Sequence, residues 1–454
     1  MLTVEELREL VATGEVDTVL VAVVDMQGRL QGKRCTARYF VDEVLEHSAE
    51  GCDYLLAVDV EMNTVPGYAS SSWDSGYGDL VMRPDLATLR RVPWHPATAL
   101  VLCDVETTGG DPVPVSPRQV LRRQLDRLAE RGLRAFAGTE LEFIVFNDTY
   151  EQAWSSGYRD LTPANQYNVD YSLLGTGRVE PLLRDIRNHM AGAGLRVEGA
   201  KGECNPGQHE ITFRYDEALL TCDNHSVYKT GAKEIAAQHG KSLTFMAKYN
   251  EREGNSCHVH LSLWTEDGSP AFAAASDSAD DAEHGMSALM RRFLAGQLAC
   301  LREFTYFLAP NVNSYKRYAQ GSFAPTAVAW GRDNRTCALR VVGHGAGLRF
   351  ENRVPGGDVN PYLALAALIA AGLHGLENEL ELGEEFTGNA YTADLPTVPT
   401  TLHESAALLD GSAPARAAFG DEVVDHYLNA ARVELAAYNS TITDWERVRG
   451  FERL

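Results

Sequence analysis

No two cysteines of this chain form a C-x-x-C pair, although there are eight of them (Cys35, Cys52, Cys103, Cys204, Cys222, Cys257, Cys300 and Cys337). Scattered thiols of this kind argue against a zinc knuckle or a disulfide framework and read as reduced, mostly packed side chains. Long hydrophobic runs are also missing. Nothing approaches the roughly 20 apolar residues of a membrane span. The start, Met1-Leu2-Thr3-Val4-Glu5-Glu6, is acidic and reads as a helix opening, not a signal peptide, so a cytoplasmic protein is expected. Basic charge is scarce: 41 Lys and Arg stand against 63 Asp and Glu, a formal net charge of −22. That disfavours nucleic acid and anionic membrane as partners and suits metal cations and cationic substrates. A Walker A sequence is absent as well. Gln31-Gly32-Lys33-Arg34 lacks its spacing, and no helix clearly follows the glycine-rich Gly343-His344-Gly345-Ala346-Gly347. A P-loop or kinase fold is thereby disfavoured.

A chain of 454 residues exceeds one small core, and two domains, one of them large, are expected. Helical periodicity covers 3–12 and 39–49. Strand patterns cover Thr18 to Val24, Tyr54 to Val58, Asp79 to Met82 and Ala99 to Val105. Residues 1–108 thus read as a small mixed domain. The turn-rich Thr108-Gly109-Gly110-Asp111-Pro112-Val113-Pro114 marks its end, and Ser116-Pro117 opens a helix. The remainder, 109–454, reads as one α+β unit. Its strands are expected at 134–146, 209–215, 256–264 and 337–353, and its helices at 117–131, 180–193, 223–239, 286–308 and 359–376. The Ala-, Ser- and Asp-rich stretch 274–285 reads as a solvent loop.

The most informative segment is Gly138-Thr139-Glu140-Leu141-Glu142-Phe143-Ile144-Val145-Phe146, a buried-strand pattern holding two carboxylates. Strand side chains alternate, so Glu140 and Glu142 share a face and require a compensating cation or proton. Four later clusters answer them. They are Glu203-Cys204-Asn205-Pro206-Gly207-Gln208-His209-Glu210, Ser256-Cys257-His258-Val259-His260-Leu261-Ser262, Asn313-Ser314-Tyr315-Lys316-Arg317 and Arg349-Phe350-Glu351-Asn352-Arg353. Alone, each has an ordinary reading as a solvated strand face, a turn or a surface ion-pair ladder. Together they supply carboxylate, imidazole and guanidinium groups on otherwise apolar strands. Oxygen-rich ligation with an occasional imidazole suits Mg²⁺ or Mn²⁺, and arginines beside such metals suit phosphate and carboxylate. The chemistry indicated is metal-assisted phosphoryl transfer from a nucleotide.

In order along the chain, these clusters resemble the glutamine synthetase superfamily. The matching motifs are G-x-E-x-E-F, E-x-x-P-G-Q-x-E, C-H-x-H-x-S, N-S-Y-K-R, N-R-T-x-x-x-R and R-F-E-N-R, followed by N-P-Y-L and T-x-W-E-R. The resemblance implies an α+β fold: an N-terminal β-grasp domain (1–108) and a larger catalytic domain (109–454) with a curved antiparallel sheet and helices. It also implies homo-oligomers, usually dodecamers in bacterial type I members, with active sites between subunits. Two or three Mg²⁺ or Mn²⁺ ions are implied. By position, Glu142, Glu203 and Glu210 hold one metal, and Glu140, His258 and Glu351 another. His260, Arg340 and Arg349 match contacts to ATP phosphates, while Ser262 and Tyr215 match the adenosine end. Arg317 and Arg353 match clamps on the glutamate carboxylates, Gly254 a backbone contact to glutamate, and Arg335 a transition-state arginine. The implied reaction makes γ-glutamyl phosphate from glutamate and ATP, which an amine then converts to an amide.

The departures lie on the amine side. Ammonia-using members carry an acidic residue in a Y-E-A-P frame, whereas this chain has Gly321-Ser322-Phe323-Ala324-Pro325. Phe323 cannot balance ammonium, but it can contact a carbon stem. The family's F-D-G-S-S loop reads Val58-Asp59-Val60-Glu61-Met62, leaving Asp59 or Glu61 to deprotonate the amine, and Glu253 stands where those enzymes place Asn. The expectation is a γ-glutamyl-amine ligase resembling γ-glutamylpolyamine and γ-glutamylethanolamide synthetases. The alternatives are an ammonia-using enzyme and a non-catalytic relative, the latter opposed by the presence of all six metal positions. Tyr391 falls near the place of an adenylylated loop tyrosine in some members, but its flanking residues differ and an unmodified surface residue is expected.

Overall fold

The computed structural model describes residues 1–274 and 285–454. β-branched and aliphatic runs build a first sheet from β1 (Thr18–Val24), β2 (Leu30–Thr36), β3 (Ala49–Cys52), β4 (Asp79–Pro84), β5 (Arg90–Arg91) and β6 (Thr98–Thr107). Its order is β2-β1-β6-β4-β3, with β5 beside β6. β1 runs parallel to β6 and antiparallel to β2, the mixed pairing of a β-grasp domain.

A nine-stranded sheet follows: β7 (Leu133–Phe146), β8 (Val197–Gly202), β9 (Gln208–Phe213), β10 (Asp216–Glu217), β11 (Ser242–Thr244), β12 (Cys257–Thr265), β13 (Trp330–Arg332), β14 (Leu339–Val342) and β15 (Arg349–Asn352). The order is β13-β14-β15-β12-β7-β9-β8, with β10 and β11 also on β7. All pairs are antiparallel except β13 with β14. Alternation along the strands gives this sheet one apolar and one polar face. Helices Pro117–Ala129 and Ala218–Gln238 pack near β7, and behind them Ala288–Leu308 lies on the almost wholly buried Pro361–Glu377. A Cβ at Gly296 would stand 2.1 Å from the Ala371 carbonyl oxygen, so only glycine permits these two helices to approach so closely.

Buried Arg118, on helix Pro117–Ala129, ties the layers together. It pairs with Asp104 on β6, with Asp85, and at 2.8 Å with Asp223 on helix Ala218–Gln238, which also accepts the Tyr362 hydroxyl. An interior guanidinium needs this number of partners to offset its lost hydration.

The expected helices 117–131, 180–193, 286–308 and 359–376 are present within two residues at each end, and 223–239 begins earlier, at Ala218. Tyr54 to Val58 is not a strand. Asp53–Leu56 forms a 3₁₀ turn, with the Ala57 N–H on the Tyr54 carbonyl, and the apolar run is buried by packing instead. The expected helical stretch 39–49 is present as an uninterrupted helical run over 37–47 that widens to π-helical winding at Phe40–Val44. The expected strand 337–353 is two strands, β14 and β15, joined by the glycine-rich turn at 343–347. The expected loop 274–285 falls almost wholly on 275–284, outside the described residues.

Candidate active site

Sheet register builds the site. Glu142 on β7 faces Glu210 on β9, which faces Lys201 on β8. Two residues along β7, Glu140 faces His258 on β12. His260 faces Glu351 on β15, and Glu351 faces Arg340 on β14. Directly opposed and alternate residues share a face, so six strands place carboxylates, imidazoles, an ammonium and a guanidinium over one polar surface. All of them except His260 line a cavity of about 400 Å³.

Glu142, Glu203 and Glu210 each offer an oxygen, all within 4.8 Å of one another. The Glu142 carboxylate accepts the Ser256 N–H at 2.8 Å and the Gln208 amide at 3.1 Å. Lys201 pairs with Glu203. Burial, followed by the neighbouring Glu203 charge, pushes the Glu142 carboxyl above the ordinary carboxylate range. Burial and the charges of Glu140, Glu142 and Glu203 also push Glu210 well up, and burial raises Glu203 in spite of Lys201.

Glu140, His258 and Glu351 form a second group with the same 4.8 Å spread, and its electrostatics are opposite. Burial would raise Glu140, but a hydrogen bond from His258 (3.3 Å) and the close approach of His260 Nε2 (3.0 Å) outweigh it and hold the group well below the usual range. Glu351 is fully buried. Burial is overcome there by His258 and Arg353, and its carboxyl lies at about 2. Arg340 Nη1 stands 2.9 Å from it, and Arg353 pairs with its other oxygen. Burial, then the Arg353 charge, lowers His258 to about 4, so its ring is neutral and suited to ligation.

Arg349 Nε donates to His260 Nδ1 at 3.2 Å, which leaves the proton on Nε2, 3.0 Å from Glu140. A second cavity, of about 280 Å³, opens beside the first and shares Glu140 and Thr212 with it. Tyr215, His260, Ser262 and Arg349 line it, with Phe136 edge-on to Trp264 at 5.9 Å and to Tyr215 at 6.3 Å. Aromatic walls at one end and cationic groups at the other suit a base joined to phosphates.

Of the residues singled out in the sequence, all six proposed metal positions, with Gly254, Phe323, Arg335, Arg340 and Arg353, line the larger cavity. Gly254 admits no side chain, since a Cβ would lie 2.3 Å from the Ala247 carbonyl oxygen. Phe323 is exposed at the cavity lip, and its carbonyl accepts Arg353 Nη2 at 3.3 Å. Arg317 does not reach the cavity. It is buried behind the Arg353 segment, where Nη2 donates to the Val354 carbonyl at 2.7 Å. Asp59 and Glu61 are also elsewhere: Asp59 accepts the N–H groups of Glu61 (2.9 Å) and Asn63 (2.8 Å) in its own turn and lines a small separate cavity with Tyr68 and Glu434. Tyr391 is half-buried, its hydroxyl donating to the Ala324 carbonyl at 3.0 Å beside Phe323. Sequence reasoning missed Asp170, Tyr171 and Lys201, which line the same cavity. Lys201 was detectable as the residue two before Glu203, whereas nothing local marked Asp170 or Tyr171.

The donor sets fit divalent cations: three carboxylates in one group, two carboxylates and an imidazole in the other, and a buried His258 Nε2 with no hydrogen-bond partner. Metal binding must expel the proton favoured by the Glu142 carboxyl, which burial pushes up to about 8, and it works against the same upward push on Glu203 and Glu210. A raised carboxyl stabilises the fold fully below its unfolded pKa, and that contribution is lost as pH rises through the folded value. The expected result is a metal-free protein whose melting temperature falls from the ordinary carboxylate range toward mildly alkaline pH. Mn²⁺ should restore it, with proton release in calorimetry. A melting temperature that rises over this interval without metal would contradict the assignment.

Two adjoining cavities, one lined by donor groups that suit divalent cations and one by aromatic and cationic groups that suit a nucleotide, fit a nucleotide-dependent enzyme of the metal-assisted type. Residues 114–449 match the glutamine synthetase catalytic domain. The chain is 69% identical over 453 residues to gamma-glutamylethanolamide synthetase GlnA4 of Streptomyces coelicolor, covering 100% of this chain and 96% of that protein. It is 36% identical to a glutamate–isopropylamine ligase of a Pseudomonas species, over 98% of this chain and 97% of the other. Among solved structures, a GmaS/ADP complex superimposes with a TM-score of 0.85 at 28% identity, covering 98% of this chain and 99% of that one. The chain belongs to the glutamine synthetase family. Its similarity reaches into the amine-ligating members.

Proposed function

We propose that this protein joins the γ-carboxylate of glutamate to a small primary amine, ethanolamine before polyamines, at the expense of ATP and through γ-glutamyl phosphate. The observation that carries the reading is Phe323 at the lip of a cavity that all six proposed metal positions line. An apolar ring at the amine side favours a nucleophile with a carbon stem, and the 69% identity to a gamma-glutamylethanolamide synthetase supports the same choice.

Glu142, Glu203 and Glu210 would hold one divalent cation and Glu140, His258 and Glu351 another. Such ions supply charge neutralisation on the transferring phosphoryl group. His260, Arg340 and Arg349 orient the ATP phosphates, and Ser262 and Tyr215 flank the nucleoside. Arg353 and Gly254 hold glutamate, with Arg317 fixing the Arg353 segment from behind. Arg335, exposed at the cavity wall, stabilises charge as the γ-phosphoryl group moves to the glutamate oxygen. The amine nitrogen then attacks the acyl carbon, the C–O bond breaks, and phosphate leaves with the electron pair.

The division into 1–108 and 109–454 is supported by two sheets that share no strand. A homo-oligomer, a dodecamer by family analogy, would bring Asp59 and Glu61 to a neighbour's cavity as the amine's base, since neither lines the cavity of its own chain. Light scattering tests this part. The eight unpaired cysteines support a cytoplasmic setting, and among the described residues no helix is long and apolar enough to cross a membrane.

Phosphate release measured over ammonium, ethanolamine, putrescine, cadaverine and spermine decides the substrate. Ethanolamine is expected to lead, and turnover with ammonium alone would overturn the reading. Phe323→Glu is expected to lower kcat/KM for ethanolamine by about tenfold, about 1.4 kcal/mol, and to favour ammonium relative to it. Unchanged kinetics would remove Phe323 from the amine side.

A further inference from the structure

One short segment touches two separate parts of the site. Residues 386–391 run beside the turn that carries Arg335. The Phe386 N–H donates to the Trp330 carbonyl at 3.0 Å, and Asn334 Nδ2 donates to the Gly388 carbonyl at 2.9 Å. The Ala390 N–H donates to Thr336 Oγ1 at 3.0 Å, and that hydroxyl donates to Asn334 Oδ1 at 2.7 Å. Arg335 therefore sits between two side chains fastened to this segment. Farther along, the Val328 N–H donates to Pro396 (2.8 Å) and the Val398 N–H to Thr326 (3.1 Å). Ala327, Ala329, Cys337 and Ala390 are buried together, with Phe386 and Leu395 against them, in a small apolar cluster of their own. Such a satellite cluster ties these segments to one another.

From this base the Tyr391 side chain reaches the Phe323 turn. Its own turn, Ala390–Thr392, is capped by Asn389, whose side chain accepts the Tyr391 N–H at 3.0 Å. The Tyr391 hydroxyl donates to the Ala324 carbonyl at 3.0 Å, next to the Phe323 carbonyl that accepts Arg353 Nη2 at 3.3 Å. Burial raises the phenol above its ordinary value, so it keeps the proton it donates. Two successive carbonyls are thus fixed from outside, and Pro325 restricts the residue before it. Phe323 needs that support, because its φ is +58° and its side chain is 56% exposed. A bulky residue rarely takes left-handed backbone, and such strain persists only where neighbours hold it.

We propose that Tyr391 is a positioning residue whose hydroxyl latches the Phe323 turn, holding the apolar ring at the amine side of the cavity in register with Arg335. This role rests on the glutamate–amine ligase reading and adds how the ring that selects the nucleophile is kept in place. In that reading Arg353 is shared with glutamate. The Tyr391 bond engages no substrate and is the constant anchor of the turn. Tyr391 is not among the residues that line the cavity, and it acts through Phe323.

Tyr391→Phe in the full-length protein keeps the ring and deletes one donor. KM for ethanolamine is expected to rise about fivefold, while KM for ATP changes less than about twofold. A general loss of folded enzyme lowers kcat and moves neither KM. Hydrogen–deuterium exchange of the 319–326 amides in the substrate-free protein is expected to rise about threefold or more, with β7 and β12 as in the parent. In a Phe323→Ala background there is no ring to place, and Tyr391→Phe should then change KM for ethanolamine less than about twofold further. The latch is overturned if either KM for ethanolamine or the 319–326 exchange stays at the parent value. It is overturned equally by matching rises in KM for ethanolamine and ATP, or by an undiminished effect in the Phe323→Ala background. If the parent turns over no amine with a carbon stem, the ligase reading fails separately, and the exchange readout decides the latch by itself.

Discussion

Arg335→Ala is expected to lower kcat by about 10³-fold or more with little change in KM for glutamate or ATP, the loss characteristic of an arginine that acts on the transferring phosphoryl group. The side chain is exposed at the wall of the cavity that Phe323 and Arg340 also line. Removing it therefore costs the fold little, and the melting temperature should stay within about a degree or two of the parent. The physical case is that charge spreads over the phosphoryl oxygens only in the transition state, so a guanidinium placed there lowers the barrier without tightening ground-state binding. ADP release under saturating substrates measures it. A fall confined to KM, with kcat intact, would make Arg335 an ordinary binding residue.

Glu351→Ala should abolish turnover and also weaken the protein. Glu351 is 0% exposed and serves Arg340, Arg353 and His258 at once. Deleting its carboxylate leaves two guanidinium groups without their shared counter-charge, one of them almost fully buried, at a cost of about 3–5 kcal/mol. It also removes a ligand from the Glu140–His258–Glu351 group, so Mn²⁺ stoichiometry should drop by one site in calorimetry. Urea unfolding and metal titration separate the two effects. The carboxyl sits at about 2, so Glu351 is ionised across the working range and its contribution is lost only as pH falls toward that value. A variant of unchanged stability and metal content would refute the role.

That the candidate metal and phosphate residues come together was legible in large part because they ride on strands. Alternation put Glu140 with Glu142 and His258 with His260, and the sheet needed only to bring those strands side by side. The 3₁₀ turn at Asp53–Leu56 was not legible, since a short apolar run looks alike in a strand and in a packed turn. The split between β14 and β15 was masked by polar residues that keep their alternation on both sides of the turn.

The sequence by itself determined the family, the donor types and which side chains share a face, because strand periodicity and ordered motifs are local properties. Only the tertiary structure decided which strands are neighbours, and hence that Glu142 meets Glu210 and Lys201 while Glu140 meets His258. Register decided more than contact. It left Glu142, Glu203 and Glu210 repelling one another in a buried group whose carboxyls are raised, and it gave Glu140 imidazole partners and Glu351 guanidinium partners that hold both below the usual carboxylate range. It also withdrew Arg317 behind the cavity and brought Asp170 and Tyr171 beside Glu203 from a segment without any recognisable motif. Burial and charge proximity depend on the three-dimensional neighbours of a residue. Composition and spacing along the chain carry no record of them.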